Sequence, residues 1–319
     1  MFRIVIAAVL ASVSFLHAYA QSAYPTRAVT IVVPFGAGSG TDVMARTLAD
    51  ELSKKIGQPV VIENRPGGAS IPAAEYVARA APDGYTLFMG GNTTHSANPH
   101  LFKELRYDPV KDFTPISRLA TAGAVLIVSP KSDIKTLADV VKEAKANPGK
   151  LTYGASNSGS QIAAERIKRE YGIDMIRVPY KSTPQAMTDV MGGNLDMTFV
   201  DVAAALSAVK NGQVRAIAIS SATRTPLMPD VATMQELGVK SFDLTFWNGL
   251  FGPAKIPTDI AARLSKEAAD IMMSDQMKQR LSALGLDAAP LPASEMDGYI
   301  KTELDKWGVY VRESGIEVN

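Results

Sequence analysis

The sequence has no cysteine among its 319 residues, and beyond position 20 it keeps only two of its three histidines, His95 and His100. Disulfide frameworks and thiolate metal sites are excluded, and no HExxH helix supplies another metal site, so no metal and no cofactor is expected. Neither sign of charge dominates, with 33 basic residues against 32 acidic. A protein that neutralises nucleic-acid phosphates needs a basic stripe, so no nucleic-acid partner is expected. No apolar run comfortably reaches the roughly 20 residues of a membrane-spanning helix. What remains is a chain 46% hydrophobic, long enough for one large or two medium α/β domains with real cores.

The first 20 residues read as a secretory signal peptide. Arg3 precedes an apolar run from Ile4 to Leu16, and Ala18-Tyr19-Ala20 places small residues where a signal peptidase inspects the chain. Cleavage is expected after Ala20. No cysteine follows for a lipid anchor, so the reading is of a protein free in a bacterial periplasm.

After that stretch, short β-rich runs alternate with helical ones. Ala28 to Val33 suits a strand buried on both faces; a helix is expected from about Thr41 to Ile56, then strand Val60 to Glu63, helix Ala73 to Ala80 and strand Thr86 to Met89. A second series opens at Ala124 to Val128 and runs to a strand at Val214 to Ser220. From Pro257 the chain reads as almost wholly helical, ending in an amphipathic stretch, Ser294 to Arg312. The economical arrangement is two lobes, each a doubly wound sheet flanked by helices, joined by crossings near Thr121 to Val128 and Phe242 to Phe251. Lobe 1 is expected over 24–123 plus 247–319, and lobe 2 over 124–246. Ligand belongs in the cleft, where strand ends present loop amides and helix N-termini.

The glycine-rich stretch Phe35-Gly36-Ala37-Gly38-Ser39-Gly40-Thr41 lies between a buried strand and an amphipathic helix. Its small residues let backbone approach a ligand, and the helix start offers unpaired N–H groups to an anion. The same residues also serve as ordinary turn and cap chemistry. Dinucleotide and Walker readings fail: the third glycine of GxGxxG falls on Thr41 or Val43, and no Gly-Lys-Ser/Thr is present. The second series repeats the device at Ser156-Asn157-Ser158-Gly159-Ser160. A polar loop from Gly90 to Ser96 and another from Asp201 complete the set. No G-x-S-x-G elbow or carboxylate pair suggests catalysis, so the protein is read as a binder and not an enzyme. A secreted hydrolase using Ser39 or Ser156 is the reading from a different class.

The ordered segments Tyr24-Pro25-Thr26-Arg27, Gly57-Gln58-Pro59-Val60-Val61-Ile62-Glu63-Asn64-Arg65-Pro66-Gly67, Pro82-Asp83-Gly84-Tyr85-Thr86-Leu87, Tyr107-Asp108-Pro109-Val110-Lys111-Asp112-Phe113 and Val178-Pro179-Tyr180-Lys181 carry a resemblance over nearly the whole chain after the signal. The sequence resembles the Bug proteins, periplasmic solute receptors of tripartite tricarboxylate transporters. The resemblance implies a two-lobe periplasmic binding protein fold of the Venus-flytrap kind, type II-like. It also implies capture of a small carboxylate and its delivery to separate membrane permease subunits; a monomer is expected. A ligand-sensing partner of a two-component sensor kinase is the runner-up. The chain departs from the family's Pro-Phe-Pro-Pro-Gly-Gly loop after Phe35, and carries Gln161 and Ser182 where the family has histidine and glycine.

The expected ligand contacts are Phe35, Gly36, Ala37, Gly38, Ser39, Gly40 and Thr41 on one rim and Ser156, Asn157, Ser158, Gly159 and Ser160 on the other. Asn92, Thr93, Tyr180 and Asp201 are expected to read the far end of the ligand. Asp42 is expected to organise its loop or to meet a ligand amino group.

Overall fold

The computed structural model describes residues 24–316 except 181, together with 318; the expected signal segment lies outside the described residues. Strands β1 (Val29–Val33), β2 (Val60–Asn64), β3 (Thr86–Gly91), β4 (Phe113–Ala122), β10 (Phe246–Pro253) and β11 (Asp287–Pro292) form one sheet, in the order β11-β4-β10-β3-β1-β2. The other sheet, β7-β6-β8-β5-β9, uses β5 (Ala124–Val128), β6 (Thr152–Ala155), β7 (Ile176–Pro179), β8 (Met197–Asp201) and β9 (Arg215–Ile219). Both sheets repeat one scheme. Three parallel strands are followed by an antiparallel strand belonging to a crossing, β10 in the first sheet and β5 in the second. The sheets are therefore mixed, where alternation of strands and helices suggested purely parallel ones.

Helices cover both faces of each sheet. In the first, β1 buries four of its five positions, and α1 (Gly40–Ile56) lays Met44, Ala45, Leu48 and Leu52 against Ile31 and Val33 together with α8 (Thr258–Met273). Helix α2 (Ile71–Ala78) packs Ala73, Ala74 and Val77 on the other face, around Val32 and Phe88. In the second sheet β5 alternates: Leu126 and Val128 meet α4 (Leu137–Ala146) and α5 (Ser158–Tyr171), and Val125 and Ile127 meet α6 (Thr183–Gly192) and α7 (Val202–Lys210). Each such fully buried aliphatic side chain contributes about 1.5–3 kcal/mol.

The crossings are tied at one point. Ser220 Oγ accepts from the Ala124 amide at 2.9 Å and donates to the Leu244 carbonyl at 3.0 Å, so one hydroxyl links the two segments that pass between the sheets. A third link was not expected. After α9 (Asp275–Ala283) and β11, the last helix, α10 (Ala293–Ser314), buries Met296 and Ile300 against the first sheet but Trp307, Tyr310 and Val311 in the core of the second. The Tyr310 hydroxyl donates to the Asp243 carbonyl, and Arg166 of α5 pairs with Glu313 at 2.8 Å. The far half of α10 thus packs on lobe 2 as well as returning to lobe 1.

Candidate functional site

Loops from both sheets converge on one cavity of about 840 Å³. Lobe 1 contributes Pro34, Phe35 and Gly36 after β1, the turn from Pro66 to Ser70 after β2, and Thr93 and Asn98 after β3. Lobe 2 contributes Ser156, Asn157 and Ser158 at the start of α5, then Gln161 and Glu165 along it and Arg177 of β7. Leu101 of α3 (Asn98–Leu101), Phe102 and the end of α10 close one side.

The first rim is braced by Asp42. Ser39 caps α1 by accepting from the Asp42 amide at 3.2 Å, and the Asp42 carboxylate accepts from the Gly38 amide at 2.9 Å, Arg46 Nε at 3.0 Å and Asn64 Nδ2 at 2.8 Å. Asp42 is shielded from water just beneath the surface, with half-exposed Arg46 over it. Burial alone would raise its carboxyl; the Arg46 hydrogen bond, the Gly38 amide and Asn64 outweigh that and hold it below the ordinary carboxylate range. Its carboxylate is thus engaged by donors from the loop, from α1 and from β2, an arrangement that braces the loop. Asn64 also donates to the Phe35 carbonyl at 3.0 Å. Thr41 Oγ1 turns toward Asn248 of β10 at 3.4 Å. Ala37, Gly38, Ser39, Gly40 and Thr41 lie outside the cavity lining, behind Phe35 and Gly36.

The turn after β2 was not assigned to the site from sequence, although Pro66-Gly67-Gly68 after a parallel strand is the signal that marks it. Ala69 and Ser70 both hold left-handed backbone, φ 53° and 68°, a conformation that costs non-glycine residues of order 1–3 kcal/mol each. Neighbours hold them there: Asn98 Nδ2 donates to the Ala69 carbonyl at 2.8 Å, and Ser70 Oγ reaches the Pro34 carbonyl at 3.4 Å. Asn98 in turn meets Tyr107, whose hydroxyl donates to the Thr94 carbonyl at 2.8 Å. The three lobe 1 loops form one preassembled wall.

On the other rim, Asn157 and Ser160 make a reciprocal capping box: Asn157 Oδ1 accepts from the Ser160 amide at 2.9 Å and Ser160 Oγ accepts from the Asn157 amide at 3.3 Å. Ser160 Oγ also accepts from the Ser156 amide at 3.1 Å, which draws the loop tight. Among the described residues the Ser158 and Gly159 amides carry no partner. They are the leading donors of α5, where the helix dipole favours an anion. Ser160 is buried and Gly159 packs against the Phe246 ring, so Ser156, Asn157 and Ser158 form the face toward the cavity. Ser156 Oγ and Thr183 Oγ1 lie 2.8 Å apart, joining the starts of α5 and α6.

Of the residues expected to read the far end of a ligand, Thr93 lines the cavity and three do not. Asn92 is buried; its side chain accepts from the Trp247 amide and reaches the Thr245 carbonyl, so it fastens β3 to the crossing strand. Tyr180 donates to Asp189 at 2.7 Å; desolvation and that carboxylate push its hydroxyl up to about 12. Asp201, at the end of β8, lies outside the cavity lining, and desolvation raises its carboxyl. The stretch around His95 is one turn of π-helix, Thr93–Ala97, and not an open polar loop. His95 is fully buried, stacked 3.9 Å from Phe251, and burial pushes its pKa down to about 3.

Residues 44–316 match the family model described as tripartite tricarboxylate transporter family receptor. The chain is 30% identical over 298 residues to the protein BugT of Bordetella pertussis, covering 92% of this chain and 91% of that one. It is 32% identical over 307 residues to a UPF0065 protein of Agrobacterium vitis, 93% of this chain and 87% of the relative. Among solved structures, an R. palustris protein with adipate superposes with a TM-score of 0.85 at 31% identity, over 92% of this chain and 98% of that one. MatC from Rhodopseudomonas palustris with bound malate gives 0.80 at 32% identity, over 90% and 100% of the two chains. The chain therefore belongs to the receptors of the tripartite tricarboxylate transporter family, a family of solute-binding proteins and not of enzymes.

Proposed function

We propose that the protein is a monomeric periplasmic receptor that captures a small organic carboxylate in the cleft between its lobes and delivers it to the membrane permease of a tripartite transporter. One observation carries this reading: the loops after β1, β2 and β3 of one sheet and the start of α5 on the other face a single cavity of about 840 Å³, within the roughly 300–1,000 Å³ typical of small-molecule sites. The relatives solved with adipate and malate support a carboxylate as the ligand class.

A carboxylate bound at the Ser158 and Gly159 amides gains about 1.5–3 kcal/mol per charge-assisted hydrogen bond. The dipole of α5 adds roughly 0.3–2 kcal/mol. Micromolar affinity corresponds to about 8 kcal/mol, so four or five donors suffice after ordering costs, provided that closure excludes water. The direct contacts in this reading are Phe35, Gly36, Thr93, Ser156, Asn157, Ser158 and the backbone amide of Gly159. Ala37 to Thr41 and Ser160 shape the two rims, Asn92 supports the crossing, and Tyr180 braces α6 through Asp189.

A thermal-shift screen over mono-, di- and tricarboxylates followed by calorimetry tests the assignment. A micromolar carboxylate and a smaller radius of gyration in its presence are expected. Absence of binding across the panel, or scattering curves indistinguishable with and without saturating ligand, removes it. The signal peptide is tested by terminal sequencing of protein recovered from a bacterial periplasm, with Gln21 expected as the first residue.

A further inference from the structure

The cavity lining carries two charged side chains, and their circumstances differ. Glu165 is engaged: its carboxylate accepts from the Tyr153 hydroxyl, and Lys168 approaches it at 3.2 Å. Arg177 also lines the cavity; its side chain is exposed and makes no hydrogen bond or ion pair with any of the described residues. Its position follows from the register of the sheet. Strand β7 pairs in parallel with β6, placing Arg177 beside Tyr153, and neighbours in a parallel pair project to the same face. Tyr153 projects onto α5, where its hydroxyl meets Glu165, so Arg177 lies on that same side. Ser158, Gln161 and Glu165 follow at the three- and four-residue spacing of one helical face and all line the cavity. The strip therefore has the unpartnered amides of the α5 N-terminus at one end and an unpartnered guanidinium toward the other.

We propose that Arg177 is a second anion subsite in this cavity and the residue that selects, among carboxylates, those whose second anionic group reaches it from the start of α5. This rests on the receptor reading above and names the residue that discriminates among its ligands. Seven residues of helix separate Ser158 from Glu165, a rise of about 10 Å. An extended chain advances about 1.2 Å per bond. The two carboxyl carbons of a six-carbon diacid then stand about 6 Å apart and those of a nine-carbon diacid about 10 Å. The Arg177 side chain has several rotatable bonds, so its guanidinium can meet a carboxylate short of the full ~10 Å, which brings diacids from six carbons upward into range. Four-carbon diacids are too short to engage both ends. Leu101, Phe102 and Ile316 supply the apolar wall that a methylene chain needs between two polar ends.

The experiment is calorimetry on the full-length mature protein with straight-chain dicarboxylates of four to nine carbons and monocarboxylates of matching length. Wild type, Arg177→Gln and Arg177→Lys are compared, with circular dichroism as a check on folding. The wild type is expected to prefer diacids of six carbons or more over the matching monoacids by about ten- to hundredfold, the range of one or two hydrogen bonds to a charged group. Arg177→Gln is expected to abolish that preference while monoacid affinity changes less than about twofold, and Arg177→Lys to restore part of it. A diacid preference that survives in Arg177→Gln, or one that peaks at four carbons, overturns the proposal and leaves the receptor reading standing. Failure of the wild type to bind any carboxylate overturns both.

Discussion

Asp42→Asn probes the first rim most directly. The carboxylate accepts three hydrogen bonds from groups in three places: the Gly38 amide, Arg46 and Asn64. Hydrogen bonds to a charged group contribute about 1.5–3 kcal/mol each when shielded. The Arg46 guanidinium is half exposed, so its share falls to roughly 0–1 kcal/mol. Asparagine keeps one acceptor oxygen and turns an NH₂ group toward donors, so a net loss of about 2–3 kcal/mol is expected. At about 2–4 °C per kcal/mol, as for chains somewhat smaller than this one, the melting temperature should fall by roughly 4–12 °C at pH 7. Binding should weaken as well, because Gly36 to Thr41 lose their anchor. The folded-state carboxyl is held below its ordinary value. Its stabilisation is therefore fully present above the unfolded pKa near ~3.9 and is lost as pH falls through the lower folded value. Thermal melts at pH 7, 5 and 3 check this: the gap between wild type and variant should hold at pH 5 and narrow at pH 3. A gap below about 1 °C at pH 7, or one of equal size at pH 3, would refute the assigned role.

Gly159→Ala places a methyl group against the Phe246 ring edge, and the ring is itself packed near Trp307; a loss of about 1–3 kcal/mol and weaker ligand binding are expected, and unchanged melting and calorimetry would show that the start of α5 has room to shift. His95 should show no NMR titration midpoint above pH 5. Because its folded pKa is depressed to about 3, stability should decline by up to about 1.4 kcal/mol per pH unit below ~6.5, as the unfolded chain takes up the proton first; a midpoint near 6.5 contradicts its burial. Trp307→Ala should cost about 3–5 kcal/mol in denaturant unfolding, although Trp307 lies outside the cavity lining. A cost below 1 kcal/mol would mean that α10 does not anchor in lobe 2.

The central strands and most helices were legible because their periodicity is strong: Ala124 to Val128 and Leu137 to Ala146 fall where burial and capping place them. Two strands were not. Asp287–Pro292 carries Pro290 and Pro292, which argue against a strand, but β11 is an edge strand where a missing N–H is tolerated. Strand β4 contains Pro115 and pairs with β10 through register shifts, so its alternation is blurred. At the site, the sequence marked loops that follow parallel strands but not which side chains turn toward the cavity. Asn92 and Tyr180 sit in such segments, yet their polar groups are engaged by Trp247 and Asp189. Arg177 carried no local signal, since its importance comes from the pairing of β7 with β6 and from the absence of a counter-ion among the described residues.

The helix α10 bears on how such a receptor exchanges its cargo. Because one rigid rod is cemented into both halves, with Met296 in one core and Trp307 in the other, the jaws cannot part by slackening the crossing strands alone. A parting of the lobes would bend the rod or disturb its packing beside Phe246. Release would then draw on a spring remote from the cargo, and substitutions at Trp307, Tyr310 or Glu313 should alter how fast a solute leaves more than how tightly the closed form grips it.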